Sequence, residues 1–431
     1  MCSFTDATRD VGMFAWGTQS RNAISATCSF SNTTSGIAAC NSHGLKARGS
    51  GSAGVAPTRE PSQCSYVQVM LMAEHVSQLP STAKRAVRLH AVLELRKHSR
   101  VVTNRVTLGS LPGAMPQLVA LLQESDEELR EHAAGTLCNL CCSCEANKAK
   151  IGQEPGAITT LCQLFASSAA SPATKAAAAA AISNLAHDHA DNQALLGRMP
   201  GVLPALLQLL QEQQPSRVRI AAARALECLA PQNQDTIAHQ PGALAVLTEC
   251  LAAAEPPVRS SAAATVQRLV WLHAANAAEL TQRTPGAVAC LAALLRDEES
   301  TKARERAAAV LGNLCCTDVG IKAALGCQPG VVTGLVQLLG NRHAPVRGQA
   351  AAALKSLAAH CVENQTRIGC VTGALKGLLV LLRDADPRVR REAVDCLRCL
   401  AAAHTCNWFM LRKELAAAET DMHTVTYILS Q

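Results

Sequence analysis

Apolar residues return along the chain at helical spacing, in two kinds of block that alternate at a fixed interval. In residues 331–339, Val332, Leu335, Val336 and Leu339 share one face. In residues 305–314, Ala307, Val310, Leu311 and Leu314 stand at i, i+3, i+4 and i+7, which predicts a longer helix with one buried stripe. The shorter block follows a corner: Pro112-Gly113, Pro155-Gly156, Pro200-Gly201, Pro241-Gly242, Pro285-Gly286 and Pro329-Gly330, with Thr372-Gly373 continuing the series, so that successive glycines lie 41 to 45 residues apart. Proline forces its predecessor out of helical geometry and glycine permits a sharp turn.

Two further series keep the same period. Asn stands nine residues before the glycine at Asn104, Asn147, Asn192, Asn233 and Asn364, and ten before it at Asn276, which predicts an N-cap opening a short first helix. A basic residue opens each long third helix at Arg130, Lys175, Arg219, Arg259, Arg304, Arg347 and Arg390. Nine residues later come Asn139, Asn184, Cys228, Arg268, Asn313, Ser356 and Cys399, an interval constant in all seven units. Such a unit cannot bury both flanks of its helices alone, so neighbours must stack. The organisation expected is a disordered Ser/Gly/Ala-rich segment over residues 1–66, a partial N-terminal repeat over 67–111, about seven repeats over 112–415 and a C-terminal cap or tail over 416–431. Trp408 and Phe409, two of few aromatics, suit an end plug.

These residues resemble the armadillo repeat, from about residue 81 to about residue 416. The run AKRAVRLHAVLELRKHSRVVTNRVTLGSLPGAMPQLVALLQ, with ELREHAAGTLCNLCCSCEANKAKIGQEPGAITTL following, is most similar to the repeat arrays of plant U-box-type armadillo proteins. No U-box is read in the residues before it. The resemblance implies an all-α, right-handed superhelical solenoid whose third helices line a concave groove. In armadillo proteins such as importin-α and β-catenin, Asn near the end of the third helix hydrogen-bonds an extended peptide, and Asn139, Asn184 and Asn313 match that position. An amide suits this because it donates and accepts together. Where importin-α places Trp, one turn earlier, this chain has Gly135, Ala180, Arg224, Ala264, Ala309, Ala352 and Asp395. That argues against recognition of basic nuclear signals, while Arg224 and Arg268 would favour acidic peptides.

Composition fits the array: 48% of the residues are apolar and only 2% aromatic, so the core must be Ala, Leu, Val and Cys. A net charge of +7 without a basic block gives no sign of nucleic-acid binding, and no apolar run is long enough to span a membrane. The 20 cysteines mostly lie in apolar helical pattern, among them Cys162, Cys228, Cys250, Cys290 and Cys396, which points to a reducing compartment. The cluster Cys138 to Cys144 offers one CxxC pair where zinc would need two, Cys315-Cys316 and the Cys396/Cys399 pair no more, and His187, Asp188, His189 and Asp191 fall in a linker. No catalytic residue, cofactor or metal is expected. The segment 1–66 is poor in acids, so a transit peptide to plastid or mitochondrion is the alternative to a cytoplasmic or nuclear location.

The function expected is a non-catalytic adaptor that binds an extended peptide or a partner helix along the third helices. Its candidate contacts are Glu131, Asn139, Asn184, Arg224, Arg268, Glu305, Asn313, Ser356 and Arg391. The alternatives are a substrate-recruiting component of ubiquitin ligation and an importin-α-like transport adaptor. The partner and the oligomeric state are not legible.

Overall fold

The computed structural model describes residues 65–401 and 405–417, and both termini, including residues 1–64 and 418–431, lie outside them. Among the described residues every regular element is a helix. Seven times the chain runs through a short first helix, a corner, a second helix and a third helix. The third helices are Glu127–Cys141, Pro172–Ala186, Ser216–Leu229, Pro256–Val270, Thr301–Cys315, Ala344–Ala358 and Pro387–Ala401. Each packs on its neighbours in this series, and together they form one continuous face of an all-α solenoid. The first helices form another row: Val102–Leu108, Glu145–Gln153, Ala190–Arg198, Gln234–Ala238, Ala274–Ala278, Val319–Cys327 and Val362–Cys370.

All seven corner glycines have φ between 73° and 86° and serve as N-caps of the second helices. An L-residue there would cost roughly 1–2 kcal/mol, which is why glycine marks the period. The third helices are buried more widely than one stripe: Ala307, Ala308, Val310, Leu311 and Leu314 are fully buried and Ala309 nearly so. Alanine allows a neighbouring helix to approach on both flanks, so each third helix is wedged between two others.

The recurring basic residue is the fourth residue of its helix, and its role is local. Arg219 Nε donates to Leu210 O (3.1 Å), Arg259 Nη1 to Ala253 O (2.9 Å) and Arg347 Nη1 to Asn341 O (2.7 Å). In each case a cation satisfies carbonyls left open where the second helix ends. The same arginines reach the next repeat, pairing with Glu255, Asp297 and Asp384.

The asparagines before the corners do not act as N-caps. Asn147, Asn192, Asn276 and Asn364 lie inside their first helices, behind Cys144, His189, His273 and Cys361 at the cap, while Asn233 holds a cap position without making the cap bond. Asn104 likewise lies inside Val102–Leu108. The amides instead bridge repeats. Asn147 Nδ2 donates to Arg105 O (2.8 Å) in the preceding first helix and to Leu140 O (3.0 Å) in its own repeat's neighbour. Asn192 reaches Lys148 O and Leu185 O, Asn233 reaches Gln193 O and Leu229 O, and Asn364 reaches Lys322 O and Leu357 O. Opposite these amides stands a glycine: a Cβ at Gly109, Gly152, Gly197 or Gly326 would overlap the amide of Asn147, Asn192, Asn233 or Asn364. The result is a ladder of Gly and Asn along the first-helix row.

At the N-terminal end, Tyr66–Ser77 and Arg85–Arg100 stand in for a partial repeat. At the other end, Thr405–Ala417 takes a first-helix place, with Asn407 donating to Gln365 O (2.9 Å) opposite Gly369. Five residues beyond Asn407, where a ladder glycine would stand, is exposed Arg412. Trp408 packs on the core, but Phe409 is 72% exposed, so only one of the two aromatics is a plug.

Candidate functional site

Third-helix surface is left open mainly at positions one, two, five, eight and nine residues after the recurring basic residue. The nine-residue position carries the predicted asparagines. Asn139 is 5% exposed, and its Nδ2 donates to Ser99 Oγ (3.0 Å) and Arg96 O (3.4 Å). Asn184 Nδ2 donates to Cys138 O (2.9 Å) and Cys138 Sγ (3.3 Å), and Asn313 Nδ2 to Gln267 O (3.4 Å). An amide has two N–H groups, so both donors of Asn139 and of Asn184 are used within the stack. Their oxygens remain as acceptors, and Asn313 keeps one donor as well. Cys228 meets Ser183 Oγ at 3.5 Å and Ser356 Oγ meets the Cys316 thiol at 3.8 Å.

Charge on this face is largely organised into bridges between repeats. Glu131 lies 3.7 Å from Arg96, whose guanidinium also contacts His132 Nδ1 at 2.6 Å and covers Gly135. Burial lowers both groups from their ordinary pKa, and the Arg96 charge further opposes protonation of His132. Arg306 spans three third helices: Nη1 donates to Ser260 O and Oγ, each at 2.9 Å, and Nη2 to Glu227 Oε1 at 2.5 Å. This strap was not legible in the sequence, because its ends lie 79 residues apart. Glu305, beside it, is half-buried, and burial raises its carboxyl above the usual range. Arg224, Arg268 and Arg391 are exposed, on the third helices of the third, fourth and seventh repeats. Lys355 contacts Glu392 (2.6 Å) and lines a cleft of about 340 Å3 with Cys316, Ser356 and Cys399.

The buried thiols of the cluster are not poised for chemistry. Cys138, Cys141, Cys142 and Cys144 are all buried. Burial pushes Cys138 up to about 12 and Cys141 well above its usual value, so neither is a thiolate near neutral pH. Cys396 is likewise raised by burial. Among the described residues no three His, Cys, Asp or Glu side chains converge as a metal site. The His187 to Asp191 cluster is a helix junction: Asp188 has φ 53°, and His189 Nδ1 accepts from Asn192 N (3.2 Å). His273 repeats that cap on Asn276 N at 3.2 Å.

Stacked three-helix units with one continuous face define a helical repeat solenoid. The family model of the Armadillo/beta-catenin-like repeat matches residues 112–142, and that of HEAT repeats matches residues 158–267, so the chain carries armadillo/HEAT-type repeats. The crystal structure of an engineered protein is similar in fold, with 21% identity, a TM-score of 0.57, and 84% of this chain and 96% of that chain covered. A second engineered protein matches at 22% identity and a TM-score of 0.45 over 67% of this chain and 96% of its own. No curated protein matches in sequence. Armadillo/HEAT repeats are generally protein-interaction scaffolds. Among the described residues no single helix is long and apolar enough to cross a membrane.

Proposed function

We propose that this protein is a non-catalytic interaction scaffold whose third-helix face receives an extended or helical segment of a partner protein. The observation that carries the reading is the row of polar side chains at one fixed helical position, on an otherwise small-residue face. Asn184 and Asn313 present amide oxygens there, which suit incoming backbone N–H groups. Exposed Arg224 and Arg268 favour an acidic segment. Against an importin-like role stands Arg96, which lies where an indole on residue 135 would be needed. Recruitment of substrates for ubiquitin ligation has no support beyond the sequence resemblance. Free, mostly buried thiols suit a reducing compartment, and a cytoplasmic location is proposed on that basis.

The test is affinity capture with the full chain, identification of bound proteins by mass spectrometry, and titration of the recovered segment against variants. Asn184→Ala with Asn313→Ala, and separately Arg268→Glu, should each weaken binding about tenfold, the loss of roughly 1.4 kcal/mol. Unchanged affinity in folded variants would remove the third-helix face as the binding surface.

A further inference from the structure

The first-helix ladder is interrupted at two successive junctions. Between the fourth and fifth repeats Ala238 stands at the glycine position, and Asn276 donates only within its own junction, to Leu269 O at 2.8 Å. Between the fifth and sixth repeats both members are missing: Thr281 replaces the glycine and Ile321 the asparagine. Thr281 lies in Glu279–Arg283, where the first helix of the fifth repeat loosens into a π-turn.

A second inter-repeat tie is absent at the same place. Arg219, Arg259 and Arg347 each bind a carboxylate of the next repeat at 2.6 to 2.8 Å. The carboxylate that Arg304 would meet in the sixth repeat is replaced by Asn341, and Arg304 Nε is buried without a hydrogen-bond partner. The cleft of about 340 Å3 opens here too, between Cys316 of the fifth repeat and Lys322 and Ser356 of the sixth. What still joins these repeats is apolar contact and one weak thiol bond, from Cys316 Sγ to Ser356 Oγ at 3.8 Å. A Cβ on Gly312 would sit 3.4 Å from Ala353 Cα in the facing third helix, and Leu295 packs on Gly334 between second helices.

We infer that the junction of the fifth and sixth repeats is a hinge: first helices part there while the third helices stay in contact at Gly312 and Ala353. The Arg306 strap holds the third to fifth repeats together on the third-helix face, so the sixth and seventh repeats with Thr405–Ala417 move as one arm. Motion about this line changes the spacing between Asn313 and Ser356. The inference does not depend on what the face binds.

Hydrogen exchange with mass spectrometry on the full chain tests it. The amides of Val319–Cys327 should exchange about tenfold faster than those of Val362–Cys370, whose ladder is complete. Restoring the missing pair with Thr281→Gly and Ile321→Asn should remove that difference. Because Ile321 is buried and its change puts folding at risk, Asn341→Asp, which offers Arg304 a carboxylate, is the second variant and should slow exchange several-fold. Equal exchange in the two first helices of the unmodified chain would overturn the hinge, as would exchange unchanged by both repairs in folded protein.

Discussion

The residue two positions past four of the third helices shows how local strain is distributed. Ser143, Asp188, Leu272 and His360 all occupy the left-handed region, with φ from 52° to 57°. Leu272 is the least suited, being 81% exposed and offering no packing in return. Leu272→Gly should therefore stabilise the protein by about 1 kcal/mol, read as a higher urea midpoint. Glu127 illustrates the opposite economy. Burial works to raise its pKa, but hydrogen bonds from Ser171, Arg130 and Thr174 outweigh that and hold it at about 2, against 4.5 ordinarily. A depressed carboxyl contributes stability that is present above its unfolded pKa near 4.5 and lost as pH falls towards 2. Glu127→Gln should lower Tm at pH 7 and lose less on acidification to pH 3 than the unmodified chain, in parallel thermal melts. At this scale the sequence located Asn139, Asn184 and Asn313, because position follows from period. It did not reveal that two of them have spent their donors, since that depends on where Ser99 and Cys138 of the previous repeat lie.

At the level of elements, the ladder turns an ordinary substitution into a discriminating one. Replacing a helix-interior glycine by alanine normally stabilises by about 1 kcal/mol. Gly348 obeys that expectation, because an added Cβ would meet only Val389 Cγ2 at 3.5 Å. At Gly152 the same methyl overlaps Asn192, so Gly152→Ala should destabilise by about 2 kcal/mol while Gly348→Ala stabilises, measured side by side by chemical denaturation. Corners and third helices were readable because each rests on a local rule: positive φ at glycine, and apolar spacing near 3.6. The ladder was misread because asparagine three residues into a helix and asparagine at a cap look alike in sequence. Its partner glycine is about forty residues upstream, and only stacking brings the two together.

Across the described stack, stability is close to a sum of neighbouring interfaces, and cooperativity is set by the weakest of them. The junction of the fifth and sixth repeats lacks both polar ties present elsewhere. Urea denaturation followed by circular dichroism should therefore show two transitions, which Asn341→Asp draws together. The period made this scale the most legible: seven corners at near-constant spacing imply stacking. What the period hides are exceptions such as Ile321, which reads as one more apolar helix residue.

Arg412 sits where the next rung would require glycine, at the last helix described. An asparagine brought to this rung by a further repeat would meet a long cationic side chain instead of a vacant notch. Extending the Gly/Asn ladder beyond this helix with an added repeat would therefore first require Arg412→Gly.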